Sequence, residues 1–133
     1  GPFIRMFDTR FTIDTVRGAD IALTVEGDDG FRLEGVSSMS KISRDPLEIV
    51  RHAMNDNHQY PDGLALYLGT MFAPIQDRDA PGEGFTHKPG DIVTIATPSL
   101  GALVNRVAYC DDIERWTFGT TALMSNLARR GLL

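Results

Sequence analysis

From Ala19 to Val25 the chain alternates: Ile21, Leu23 and Val25 fall on one side, Ala22 and Thr24 on the other, the period of a strand with two unlike faces. Gly27-Asp28-Asp29-Gly30 follows, a cluster of residues that favours chain reversal. Phe31-Arg32-Leu33-Glu34 then alternates again. Together these segments predict a β-hairpin with one wet and one buried face. After the polar stretch Ser37-Ser38-Met39-Ser40 the period changes. Leu47, Val50 and Met54 recur at helical spacing, with Ile49 and Ala53 alongside. The start of this helix has a mechanism: Asp45 accepts from a free backbone N–H, Pro46 loses nothing at the first helical position, and Glu48 is placed to reach back as in a capping box. The helix should stop near residues 55–57, ahead of the turn Tyr60-Pro61-Asp62-Gly63.

Leu64-Ala65-Leu66-Tyr67-Leu68 is a continuous apolar run of strand length, which predicts a strand buried on both faces. It ends at Gly69-Thr70. Residues 73–90 carry Pro81, Gly82 and Gly84 and no apolar period, so they read as a long loop, a kind of segment that is often functional in compact domains. Lys88-Pro89-Gly90-Asp91 is a turn feeding a strand at Ile92–Ile95. Thr97-Pro98-Ser99 breaks it, and a further strand runs from Leu100 to Val107. The tail from Thr120 to Arg130 reads as a helix, with Leu123 and Leu127 one turn apart, Arg129-Arg130 suited to a C-terminus and Gly131 just past it. About five strands and two helices, not in regular alternation, predict an α+β domain that is mainly β rather than a doubly wound sheet.

Composition narrows the class. The chain has 133 residues, 42% of them hydrophobic, which suits one domain spanning 1–133 with a core and excludes a disordered tail. A net charge of −5 argues against a nucleic-acid surface. The single cysteine, Cys110, excludes an intrachain disulfide and a cysteine-based zinc site. No apolar run approaches the ~20 residues of a bilayer span, and no charged-then-apolar leader of the secretory type is visible; the expectation is a soluble, cytoplasmic protein. The chain opens Gly1-Pro2-Phe3 without a Met, as an added leader dipeptide or a piece of a longer chain would.

Candidate chemistry is sparse. His52, His58 and His87 form no metal-ligand spacing, and His52 should face solvent from the first predicted helix. Asp77-Arg78-Asp79 with Glu83 brings three carboxylates close in sequence, but Arg78 would compete for them, so a solvated loop is the simpler reading and a metal site the weaker one. Asp28-Asp29 and Asp111-Asp112 read as turn residues. Cys110 has no base beside it and reads as a buried or idle thiol. There is no Gly-x-Ser-x-Gly elbow and no phosphate-cradling loop. Gly69-Thr70 stands out: a glycine admits close approach to the backbone and the threonine hydroxyl both donates and accepts.

The order of these segments carries more than any one of them. Tyr60-Pro61-Asp62-Gly63, the apolar run, Gly69-Thr70, a loop, Phe85, Lys88-Pro89-Gly90-Asp91-Ile92-Val93 and then Leu100-Gly101-Ala102-Leu103-Val104-Asn105-Arg106-Val107 resemble the C-terminal part of the fumarylacetoacetate hydrolase family, closest to its 2-keto-3-deoxy sugar-acid dehydratase branch. The preceding hairpin, Ser37-Ser38-Met39 and the capped helix fit the segment just upstream, and the resemblance spans nearly the whole chain. It implies a β-rich, roll-like fold, a homo-oligomer and usually a homodimer, and an enzyme that uses Mg²⁺ or another divalent ion to chelate a small 2-oxo acid or β-diketo substrate before C–C hydrolysis, hydration, dehydration or decarboxylation. It also implies that Gly69 and Thr70 are the substrate-side residues. The family's Glu-x-Glu metal pair, its later Asp and its lysine lie upstream of the matched part, and the chain contains no Glu-x-Glu. Met71 to Pro74 departs from the commoner Gly-Thr-Pro-x-Gly form. The resulting expectation is the C-terminal half of such an enzyme, inactive by itself, without metal ligands, and partnered by the missing N-terminal half or by another copy. The alternative is a stand-alone binding or assembly module that keeps the fold without the chemistry.

Overall fold

The computed structural model describes residues 5–68 and 73–133. The predicted hairpin forms: β1 (Asp20–Glu26) pairs antiparallel with β2 (Arg32–Ser38), Val25 opposite Leu33. The second strand runs four residues beyond the Glu34 suggested by its alternation. β1 also pairs with β3 (Ile92–Thr97), and β3 with β4 (Gly101–Arg106). The described sheet is thus a four-stranded antiparallel one in the order β2-β1-β3-β4, which makes the domain α+β and mainly β, as the pattern indicated. Three helices lie outside the sheet: α1 (Ile13–Arg17), which has no sequence expectation, α2 (Pro46–Ala53) and α3 (Thr120–Arg129).

Directly paired residues share a face of a sheet. One face carries Val25, Leu33 and Val93 side by side; Val25 and Leu33 are buried, together with Phe11 and Met39 outside the sheet. The opposite face carries the row Val36–Ala22–Ala96–Ala102 and, next to it, Glu34–Thr24–Thr94–Val104. Val36 and Val104 there are more than half exposed. The alternation in β1 therefore sorts as predicted, with Ala22 on the open side and Val25 in the core.

Two expectations need correction. Leu64–Leu68 is not a strand, and it is not buried: Leu64, Leu66 and Leu68 are each more than a third exposed and Tyr67 is 90% exposed. A strand needs a neighbour to complete its ladder, and among the described residues this segment pairs with no strand of the sheet. The other correction concerns α2. Asp45 caps it as expected, accepting from Leu47 N at 2.9 Å, but Glu48 does not reach back. Its carboxylate is taken by Arg44 at 3.0 Å, and the helix ends at Ala53, short of residues 55–57.

The chain exposes 10539 Å², about half as much again as the roughly 6,900 Å² expected of a compact monomer of this mass. Exposed apolar side chains stand on the open sheet face, in residues 64–68, at Ile75 and around Trp116, which is 82% exposed. Among the described residues no helix is long and apolar enough to cross a membrane.

Candidate functional site

Gly69 and Thr70 lie outside the described residues, so the site is built from what adjoins them. Leu68, the last described residue before that pair, lines a hollow of about 730 Å³ together with Asp20, Val36, Ser37, Ser38, Lys41, Ile42 and Ser43. The wall of this hollow is the chain leaving β2. Met39, buried, anchors a single 3₁₀ turn (Met39–Lys41), and its N–H donates to Ala19 O at 2.9 Å, which hangs the turn from the start of β1. Downstream, Asp45 fixes the other end. Besides capping α2 it takes the Arg17 guanidinium of α1, Nε at 2.5 Å and Nη2 at 3.1 Å. The hydrogen bonds from Arg17 hold the Asp45 carboxyl below the usual carboxylate range, despite an opposing effect of burial. Serines 37, 38 and 43 and Lys41 are thus presented by a short segment pinned at both ends.

The polar groups of the hollow are largely unspent. Ser38 and Ser40 hydroxyls share a hydrogen bond of 2.9 Å. Among the described residues, the Lys41 ammonium and the hydroxyls of Ser37 and Ser43 have no partner. The only other lysine, Lys88, is fully committed: its ammonium sits at 3.1 Å from Asp29 and also on Asp79. A lysine and serines along a concave surface suit the carboxylate of a small acid, while Asp20 on the same lining opposes it.

The loop at 73–90 contributes a different arrangement. Arg78 does not compete for its neighbours Asp77 and Asp79. It crosses to the hairpin turn and to the Lys88–Asp91 turn, where it grips Asp91 with both ends of its fork, Nη1 to Oδ2 at 2.6 Å and Nη2 to Oδ1 at 2.8 Å. It also reaches Asp29, 49 residues away in sequence, at 3.1 Å. The guanidinium lies over the Phe31 ring at 4.6 Å, and Phe31 in turn stacks on Phe85. Asp91 is buried, with 1% of its surface exposed. The Arg78 hydrogen bonds pull its carboxyl down to about 2 against the opposing effect of burial, aided by the N–H of Lys88 at 2.9 Å. Asp29 is held still lower, chiefly by Arg78, and the same carboxylates raise Arg78 above its ordinary value.

Asp91 therefore stays ionised and spends its lone pairs on Arg78 and on the turn. That is the chemistry of a clamp, not of a proton-transfer group. Gly27 is needed beside it: a Cβ there would collide with Arg78 Nη2 and Asp29 Oδ1. Gly90, at φ +98, makes the turn that brings Asp91 back to Lys88.

The three loop carboxylates do not assemble. Asp77 accepts from Gly82 N and Gly84 N at 2.8 and 2.7 Å, and those backbone donors hold its carboxyl low. Asp79 is on Lys88, and Glu83 is exposed. Among the described residues no group of His, Cys, Asp and Glu could hold a metal ion. His52 and His58 are exposed, and His87 packs edge-on against Phe85, 3.6 Å from Asp91. Cys110 is exposed at the start of a 3₁₀ turn (Cys110–Asp112), not buried behind a strand.

Sequence reasoning missed Lys41 and Ser43 altogether and took Asp29 for a turn residue only. No local spacing marks these residues, since their roles come from the turn after β2 and from contacts across dozens of positions. No protein-family model, curated protein or solved structure matches the chain.

Proposed function

We propose that the chain is the substrate-side, C-terminal half of a divalent-metal-dependent enzyme of the fumarylacetoacetate hydrolase type, acting on a small 2-oxo acid by C–C hydrolysis, hydration or dehydration. The ordered motifs from Tyr60 to Val107 motivate the family. One observation of the structure supports the site: Leu68, immediately before Gly69-Thr70, lines the hollow that also holds Lys41 and three serines. Lys41, Ser37 and Ser43 bind and orient the acid end of the substrate; they provide no base. Asp91, Asp77 and Asp79 are taken by arginine, backbone and lysine donors, and among the described residues no group of carboxylates is gathered to hold Mg²⁺. The metal of this reading, which would polarise the oxo group, belongs to residues outside this chain.

The surplus exposed surface supports a covering partner, either the N-terminal half or a second copy. Its order of magnitude, roughly 3,000 Å² and more, is what an obligate interface buries rather than what a transient contact does.

The test compares the 133-residue chain with the full polypeptide encoded around it, each given Mg²⁺ and a panel of 2-oxo acids. The longer protein should turn over at least one acid in a metal-dependent manner, and the short chain none. Metal-dependent turnover by the short chain would place the metal site within it and overturn the assignment. Binding without turnover in the long protein would instead identify a non-catalytic module.

A further inference from the structure

Helix α3 has no buried residue, although one side of it is built to be covered. Leu123 and Leu127 lie one turn apart, and Arg130, the C-terminal cap, follows three residues later on the same side. Leu123 is 43% exposed, and Arg130 is exposed as well. The stripe reads apolar, apolar, basic. The open face of the sheet carries a matching series. The register sets Thr24 beside Thr94, then Ala22 beside Ala96, and Asp20 comes next on the same face. A hollow of about 620 Å³ lies over Ala22, Ala96 and Ala102, with Val36 and Pro98 at its sides and Asp20 on its margin. Alanines in the floor let a helix come close, and the spacings agree. Residues on one face of a strand recur about every 6.6 Å, and residues four apart on a helix about every 6 Å.

We infer that α3 of one copy packs on the open sheet face of a second copy, and that two copies exchange these helices. Leu123 lies over Thr24 and Thr94, Leu127 over Ala22 and Ala96, and Arg130 meets Asp20, so α3 runs antiparallel to β1. Charge favours the chain itself as the occupant. Residues 120–133 carry Arg129 and Arg130 and no acidic residue, so a net charge of −5 overall leaves −7 on residues 1–119. Copies would repel one another body to body, whereas each basic helix is drawn to the other's acidic body. Area agrees too, since the roughly 3,000 Å² and more of surplus surface per chain is of the size an obligate interface buries. Reciprocal exchange also closes: both grooves are filled by the same pair of contacts and no open face is left to propagate. This rests on the reading that a partner covers the sheet, and it goes beyond that reading by naming the segment and the contact. A homo-oligomer, as the family resemblance implies, does not by itself require this helix on this face.

Disulfide trapping reads the contact, and sedimentation equilibrium of the 133-residue chain measures its strength. The exposed Cys110 is first replaced by Ser. Copies carrying Ala22→Cys are then mixed with tagged copies carrying Leu127→Cys and oxidised. The covalent product should join one copy of each kind, and the same trapping in the longer polypeptide should give the same product. Leu123→Asp should weaken dimerisation at least about tenfold, through the loss of a buried leucine. Asp20→Arg and Arg130→Asp should each weaken it about threefold or more by setting like charges together, and the two in one chain should restore it. Asp20, Leu123 and Arg130 are exposed in the single chain, so far-ultraviolet circular dichroism of these variants should be unchanged at concentrations that keep them monomeric. A chain with both cysteines that closes on itself at any dilution would place α3 on its own sheet and overturn the exchange. So would a monomer at tens of micromolar, a dimer indifferent to the three substitutions, or the absence of the mixed disulfide. Turnover separates this inference from the proposed function. The mixed disulfide without turnover of any 2-oxo acid by the longer protein keeps the contact and removes the enzyme reading. Turnover without the mixed disulfide keeps the enzyme reading and overturns the contact.

Discussion

Replacing Asp91 by Asn tests whether the Arg78 clamp holds the 73–91 loop on the hairpin. The substitution preserves shape and removes one charge. In the native chain both oxygens of Asp91 meet the guanidinium, at 2.6 and 2.8 Å, and both side chains are almost wholly buried, at 1% and 2% exposure. Breaking such a pair by changing one partner costs about 3–5 kcal/mol, because the other charge stays buried without compensation. Asp29, at 3.1 Å and 40% exposed, still faces Arg78, so the lower end applies: about 3 kcal/mol. For a domain of this size that is on the order of a 10 °C drop in Tm. Urea unfolding followed by circular dichroism at pH 7, at matched protein concentration, measures the loss. The double variant Arg78→Met with Asp91→Leu should recover part of it, since a buried ion pair exchanged for apolar groups of similar volume is often neutral. Asp79→Asn, on an exposed pair with Lys88, should be nearly silent. A loss below about 1 kcal/mol for Asp91→Asn would sink the reasoning, as would a double variant no better than the single one.

Acid should act through the same group. Asp91 is held at about 2 in the folded chain, below the ordinary carboxylate value of about 3.9. Its stabilisation is therefore complete above about pH 4 and is lost as pH falls toward 2, so the stability of Asp91→Asn should vary less than that of the native chain over this window. Gly27→Ala should destabilise by roughly 1–3 kcal/mol through the collision with Arg78, and an urea midpoint unchanged from the native one would count against the packing described. Finally, sedimentation of the isolated chain at tens of micromolar should show association, with strong binding of an apolar dye; a clean monomer with little dye binding would argue against the missing partner surface.

How much the sequence disclosed depended on how local the cause was. The hairpin was legible because alternation and a Gly-Asp-Asp-Gly turn are decided within a dozen residues, and the cap at Asp45 because its acceptor and its donor are two positions apart. Arg78 was not. Its neighbours Asp77 and Asp79 invited a local pairing, yet Asp77 is consumed by the amides of Gly82 and Gly84. The fork then goes to partners 13 and 49 positions away. Of the candidate site, Gly69-Thr70 were chosen by resemblance and lie outside the described residues. Lys41 and Ser43, on the wall of the hollow beside Leu68, carry no signature that a single sequence could show.

The apolar run at 64–68 is the instructive failure. Five consecutive apolar residues predict burial on both faces because water penalises such a run anywhere else. In this chain Tyr67 is 90% exposed and the leucines around it more than a third. The pattern and the structure agree if burial comes from another body. The same holds for the sheet, where Val36 and Val104 stand on an open face whose partner rows are alanine and threonine. A strand-like run and a sheet face that both stand in water are surfaces a covering partner would bury. This is the physical ground for the proposed covering partner.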